Sequence, residues 1–285
     1  SDRYAVQSQL FFHGFDPEEA LIEWKPKEGK ELLELEDLKS ILDSQGDEVA
    51  LLLIGGVNYY TGQYLDIKKI AELGHAKKCM VGIDLAHGAG NIQPNLHDSS
   101  IDFAAWCTYK YLNSGPGSLS GLFVHEKHSQ RKDLPRFAGW WNHNKETRFN
   151  MRQPFDVMEG AEGWQLSNPP ILSMAAVKAS LDIFEKVGMD ALVKKSKKLT
   201  GFFEYLVNEI ASDTIKIITP ANPNERGCQL SLQVKNTDKN LHKKLTENNI
   251  ITDWREPDVI RCAPVPMYTS FEDVYHMVTI LESLL

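Results

Sequence analysis

The sequence predicts an α/β protein in which a large N-terminal domain with a mostly parallel sheet is followed by a smaller C-terminal α+β domain. Short apolar runs alternate with helical periodicity from residue 49 onward. Those runs are apolar throughout rather than at every second position, the pattern of strands covered on both faces and joined through a helix. After the "SNPP" at 167–170 the composition shifts to long helices and then to shorter strands. An alternating strand-helix order followed by a separate mixed segment is the signature of these two classes in series.

In chain order, "VALLLIGG" (49–56) reads as the first strand, "DIKKIAELGHAKK" (66–78) as an amphipathic helix and "CMVGIDL" (79–85) as the second strand. "IDFAAWC" (101–107) and "GLFVHE" (121–126) follow as further strands. Beyond "SNPP" come helices at 171–188 and 189–210, strands at 214–220, 228–234 and 259–265, and helices near 237–248 and 270–285. The expected division is a large domain at 1–170 and, at 171–285, a bridging helix with the small domain. The sequence contains no internal repeat, low-complexity tract or flexible linker, so the two are expected to pack closely.

With 42% hydrophobic and 25% charged residues among 285, the chain has the balance of an ordinary globular protein with a sizeable core. A net charge of -8, without a basic block, argues against a sequence-independent grip on nucleic acid. The longest apolar run, at 49–57, is too short to span a bilayer, and no signal-peptide pattern opens the chain. The expectation is a soluble, cytoplasmic protein without a membrane partner. Cys79, Cys107, Cys228 and Cys262 lie far apart in apolar surroundings and read as reduced thiols. The chain opens on "SDRYAVQSQLFFHG" without an initiator methionine, which reads as a fragment lacking an upstream part.

Ligands of open α/β sheets bind beyond the carboxyl ends of the strands, so polar residues that end apolar runs carry the search for chemistry. "GIDLAHGAG" ends a strand on Asp84 with His87 three residues on, and Asp84 is either a turn former or a functional carboxylate. "FAAWCTYKYLNSGPGS" places Lys110 just past another strand, before Gly115 and Gly117. Lys110 is either a structural lysine beside a tight turn or an amine set to attack a carbonyl. A strand-end Asp and a strand-end Lys about 26 residues apart suggest pyridoxal phosphate, with the lysine holding the aldehyde and the carboxylate pairing with the pyridinium nitrogen. No metal is expected: His75, His97, His125, His128 and His143 lack ligand spacing, and "HEKH" (125–128) is one residue short of H-E-x-x-H.

"DLAHGAGN", "WCTYKYLNSGPG", "FVHEKH", "TRFNM", "SNPPIL" and "APVPMYTSFEDVY" together resemble the kynureninase family, pyridoxal-phosphate enzymes of fold type I, from the first residues to the last. The resemblance implies Lys110 as the Schiff-base lysine, Asp84 as the pyridine-nitrogen partner, His87 in the cofactor shell and Tyr109 as a phosphate ligand. Asp2 would close the family's F-P-S-D motif near the cofactor, and Gly55 stands at a cofactor-site position where a serine is often found. Trp140 and Asn168 match positions that reach the neighbouring subunit's site in a homodimer, and Arg261 matches the clamp on the substrate's α-carboxylate. On the residues alone, Trp140 equally reads as a packing aromatic and Asn168 as a turn former before Pro169. The family's upstream segment would supply backbone amides for the phosphate and an aromatic on the pyridine ring. The implied reaction is hydrolysis of L-kynurenine, or its 3-hydroxy analogue, to anthranilate or 3-hydroxyanthranilate and L-alanine. The alternatives are another fold-type I lyase or aminotransferase, or a catalytically silent truncated chain.

Overall fold

The computed structural model describes residues 2–150, 154–210, 213–235 and 239–285. Three helices that periodicity does not announce precede the first sheet: α1 (Asp2–Phe12), α2 (Pro17–Ala20) and α3 (Leu35–Gln45). In α2, Asp16 caps the Glu18 N–H and Pro17 opens the helix, an N-terminal signal too short to register in a hydrophobic pattern. In α3, Leu38 and Leu42 fall one turn apart and are both buried.

The first sheet is β1 (Leu51–Gly55), β2 (Met80–Asp84), β3 (Phe103–Cys107) and β4 (Ser120–Val124), in that spatial order. The pairs β1–β2 and β2–β3 are parallel, as the apolar runs lead one to expect, while β4 runs antiparallel to β3. The loop at 108–119 contains no helix, and a parallel return would need such a crossover. Helix α4 (Ile67–Ala76) makes the crossover from β1 to β2; Asp66 accepts the Lys69 N–H at its start, and Ile67, Ile70, Ala71 and Gly74 form its buried stripe. A Cβ on Gly74 would lie 2.8 Å from Leu52 and Val81, so glycine lets the helix sit directly on the sheet.

At the end of the sheet where β3 begins, buried Asp102 accepts the Val81 N–H at 2.7 Å, His75 Nε2 at 2.9 Å and His128 Nε2 at 2.7 Å, and pairs with Lys127 at 2.7 Å. Burial would raise its pKa, but the hydrogen bonds from Lys127, His75 and His128 overcome that and hold the carboxyl far below the usual carboxylate range. His128 of that segment therefore serves a buried carboxylate, while His125 accepts the Lys127 N–H at 3.1 Å. Among the described residues no group of His, Cys, Asp and Glu has the arrangement of a metal site.

Gly188, at φ 81°, separates α5 (Ile171–Val187) from α6 (Met189–Glu209). The second sheet contains β5 (Ile215–Ile217), β6 (Leu230–Val234), β7 (Asp253–Arg255) and β8 (Val259–Cys262), ordered β5-β6-β8-β7 and antiparallel throughout. Helix α7 (Asn240–Glu247) falls within the segment expected to be helical, whose residues 237 and 238 lie outside the described ones. Strand β7 has no counterpart in the sequence reading, because Asp-Trp-Arg is too short and too polar to show a strand pattern. Helix α8 (Phe271–Leu284) starts from a Ser270–Asp273 capping box and buries Val274, Met277, Val278 and Leu281. Leu199, Leu230, Leu232, Leu245, Ile260 and Leu281 are fully buried in this second core, each contributing about 1.5–3 kcal/mol of burial free energy.

The loop after β1 is tied to the second sheet, since the carbonyls of Tyr59, Tyr60 and Thr61 accept from Gln229 Nε2 (3.0 Å), Ser231 Oγ (2.5 Å) and Thr219 Oγ1 (2.6 Å). All four cysteines are free, with Cys107 half-buried, and burial pushes the Cys228 and Cys262 thiols up to about 12, which keeps them unreactive. Among the described residues no helix is long and apolar enough to cross a membrane.

Candidate active site

Strand register decides what meets at the carboxyl edge of the first sheet. Gly55 pairs with Asp84, and Asp84 with Ala105, so the residues following β1, β2 and β3 emerge side by side. Asp84 ends β2 and turns the chain by accepting the Ala86 N–H at 2.6 Å. His87 follows in that turn, its carbonyl accepting from Asn91 Nδ2 at 2.9 Å. Past β3, the Thr108 hydroxyl donates to the Leu119 carbonyl at 2.6 Å and the Asn113 N–H to the Lys110 carbonyl at 2.9 Å, closing the loop that carries Lys110. Gly115 and Gly117 sit at φ 83° and 77°, where a side chain would be strained. Helix α5 braces this loop through Ser173 Oγ on the Gly117 carbonyl at 3.1 Å and Ser180 Oγ on the Leu112 carbonyl.

Lys110 Nζ lies 3.2 Å from His87 Nε2. Burial, followed by the charge of Lys110, pushes the His87 imidazole down to about 4, so the ring is neutral near pH 7. A neutral ring accepting from Lys110 at Nε2 carries its proton on Nδ1, and that atom is buried without a hydrogen-bond partner. Asp84 moves the other way: burial raises its pKa, and the neighbouring Asp2 carboxylate raises it further, against the Ala86 N–H and the Lys110 charge. The Tyr109 side chain is exposed beside them, and the neighbouring Cys107 thiol raises its pKa. At Gly55 a Cβ would meet only the Val57 carbonyl oxygen at 3.7 Å, which leaves room for a larger residue.

Arg261 comes from the second sheet. It stands opposite Asp253 on β7 and Ser231 on β6. Its Nε donates to Asp253 Oδ2 at 2.7 Å, Nη2 donates to the same oxygen, and Nη1 donates to the Tyr59 carbonyl at 2.7 Å. The Tyr59 ring lies 6.5 Å from the His87 ring, and the Tyr111 ring 6.0 Å from it on another side, so Arg261 reaches the His87 neighbourhood through Tyr59.

The structure thus gathers Asp2, Asp84, His87, Tyr109 and Lys110, with Gly55 beside them and Arg261 one residue away. Trp140 packs edge-on against Trp141 at 5.2 Å, and exposed Asn168 accepts from the Ser167 hydroxyl at 3.2 Å. Sequence reasoning missed three residues. Asn91 closes the quoted "DLAHGAGN", yet its partner, the Cys228 N–H at 2.8 Å, is 137 positions away. Tyr59 acts partly through its backbone carbonyl, which no residue type reveals. Asp253 lies in the unrecognised β7, although an acid eight residues before an arginine in an apolar strand was a readable signal.

Residues 192–281 match the family profile described as "Kynureninase C-terminal domain". The chain is 53% identical over 282 residues to a kynureninase of Myxococcus xanthus, covering 99% of this chain and 66% of that protein. It is 54% identical over 285 residues to one of Flavobacterium johnsoniae, with 99% and 67% covered. A Mus musculus kynureninase is 45% identical over 293 residues, with 100% and 63% covered. The chain thus spans about two thirds of the length of the curated relatives it matches. Among solved structures, a C-DES mutant with glycine covalently linked to the PLP cofactor superposes with TM-score 0.80 at 17% identity, over 98% of this chain and 70% of that one. Apo cysteine desulfurase of Thermococcus onnurineus superposes with TM-score 0.76 at 17% identity, over 99% and 69%. These structures share the fold, and the relatives share the sequence from end to end: the chain belongs to the kynureninase family, pyridoxal-phosphate-dependent hydrolases of fold type I.

Proposed function

We propose that this protein hydrolyses L-kynurenine, and 3-hydroxykynurenine, to anthranilate or 3-hydroxyanthranilate and L-alanine, as a cytoplasmic homodimer with active sites at the subunit interface. The observation that carries the reading is the meeting of Asp84, His87 and Lys110 at the carboxyl edge of the sheet. The residues present fit pyridoxal phosphate: a half-buried carboxylate whose pKa is raised by burial and Asp2 suits a pyridinium nitrogen, and the buried, unpartnered His87 Nδ1 suits a polar group of a ligand.

When bound, pyridoxal phosphate supplies an aldehyde for amines and an electron sink for the charge left on carbon. Asp84 would pair with the pyridine nitrogen, Lys110 would hold the aldehyde, and the Tyr109 phenol would donate to the phosphate. Asp2, Gly55 and His87 would line the cofactor, and Trp140 and Asn168 would serve the site of the neighbouring subunit. Arg261 fixes the substrate's α-carboxylate through paired N–H donors, which aims the Cα–H at the amine of Lys110. Lys110 takes the proton from Cα as general base, and neutral His87 at 3.2 Å accepts a hydrogen bond that orients its lone pair. Water adds at the γ-carbonyl, the bond between Cβ and Cγ breaks, Cβ gains a proton, and the proton held by Lys110 returns to Cα, so that one water and one kynurenine leave as anthranilate and alanine.

The test is release of fluorescent anthranilate from L-kynurenine by the cofactor-loaded protein. Anthranilate formation that disappears in Lys110→Arg supports the reading. Conversion of L-kynurenine to an α-keto acid without anthranilate would make the protein an aminotransferase of the same fold, and inertness with bound cofactor would overturn hydrolysis as its activity.

A further inference from the structure

We infer that Asp253 is a positioning residue for substrate binding, which sets the guanidinium of Arg261 so that two parallel N–H groups remain for a carboxylate. The inference rests on the proposed role of Arg261 as the α-carboxylate clamp. It begins with strand register, because Asp253 on β7 lies directly across from Arg261 on β8. Antiparallel neighbours on one face meet at their side chains, and here Nε and Nη2 of Arg261 both reach Asp253 Oδ2. Nη1 is pinned separately to the Tyr59 carbonyl, in the loop after β1.

A guanidinium carries five N–H donors in a rigid fork. The bonds to Asp253 and Tyr59 engage one on each of the three nitrogens, so one remains on each terminal nitrogen. Two N–H groups on adjacent nitrogens are what bidentate carboxylate recognition needs. Asp253 also holds a second cation: Arg255 Nη1 reaches Oδ1 at 3.1 Å and Arg255 Nη2 lies 3.0 Å from Oδ2. The carboxylate therefore separates two guanidinium groups that would otherwise repel each other, and it leaves the cluster one net positive charge for the substrate anion. The Arg261 side chain is only 11% exposed, so its orientation is fixed at little entropic cost when the substrate binds. Among the described residues Asp253 makes no hydrogen bond to Lys110 or Asp84, and it acts through Arg261.

The experiment measures KM and kcat for L-kynurenine, and the inhibition constant of kynuramine, the same amine without its α-carboxylate, on the cofactor-loaded protein. Asp253→Asn keeps the side-chain shape and removes the charge. It is expected to raise KM about ten-fold or more, change kcat less than about three-fold, and move the kynuramine constant less than about two-fold. Asp253→Glu is expected to recover part of the KM. Equal losses for kynurenine and kynuramine would show a general structural role and overturn the inference, as would an unchanged KM in Asp253→Asn. Arg261→Lys separates the two levels: if it raises KM while Asp253→Asn does not, the clamp stands and the positioning role falls. If Arg261→Lys leaves KM unchanged, the clamp falls and the positioning role with it.

Discussion

Asp84 and His87 are displaced in opposite directions from their ordinary titration ranges, each chiefly by burial, which disfavours the charged form of both. For Asp84, burial and the neighbouring Asp2 make the charged form costly. Asp84→Asn is therefore expected to raise the thermal midpoint of the cofactor-free protein by about 1–3 °C, while lowering kcat about a hundred-fold or more through loss of the pyridine-nitrogen partner. A variant that loses stability and activity together would assign Asp84 to the turn it forms with Ala86. For His87 the folded pKa lies near 4, below the ordinary imidazole value of about 6.5. Between these values the unfolded chain binds more protons than the folded one, so stability falls as pH drops through that window and is fully present above it. Urea midpoints of the cofactor-free protein and His87→Gln between pH 4.5 and 7 should diverge, with the flatter profile in the variant. Parallel profiles would contradict the neutral, buried ring.

At the level of elements, the site depends on the turn after β2 being fastened to the segment that leads into β6 of the other sheet. Asn91 does this with both ends of its amide, donating to the His87 carbonyl at 2.9 Å and accepting the Cys228 N–H at 2.8 Å. Its room is made by Gly227, where a Cβ would lie 2.3 Å from Asn91 Nδ2. Asn91→Ala leaves a buried N–H without a partner and is expected to cost about 1–3 kcal/mol in urea unfolding, with weaker cofactor binding as the His87 turn loosens. A stability loss below about 0.5 kcal/mol would show that the contact is replaceable. This is also where reading the sequence reached its limit. The strands ending at Asp84 and Cys107 were legible because buried parallel strands are continuous apolar runs, and Lys110 because lysine beside such an end is chemically conspicuous. The helices α1 to α3, the strand β7 and the Asn91–Cys228 link were not, since they are short, polar or joined across many residues.

For the whole molecule, a buried ion pair anchors the segment before β6 where it meets the loop after β1. Arg226, almost wholly buried, reaches Glu204 on α6 at 2.7 Å and donates to the Pro220 carbonyl at 3.0 Å, next to the bridge that Arg226 makes with Gln63. Glu204→Gln strands a buried guanidinium and is expected to destabilise the protein by about 2–4 kcal/mol, read from the urea midpoint. A neutral effect would mean that water or another acid already neutralises Arg226. The overall α/β plan, the smaller mixed region and the placement of Asp84 and Lys110 at strand ends followed from local patterns, whereas the way Tyr59 and Arg261 meet needed the tertiary arrangement. The central claim is that Lys110, at the carboxyl edge of the first sheet, is the residue that takes pyridoxal phosphate. The direct measurement is borohydride reduction of the protein after incubation with pyridoxal phosphate, followed by peptide mapping. The account predicts a stable pyridoxyl group on the peptide carrying Lys110, absent in Lys110→Arg; a specific adduct on another lysine, or none, would contradict it.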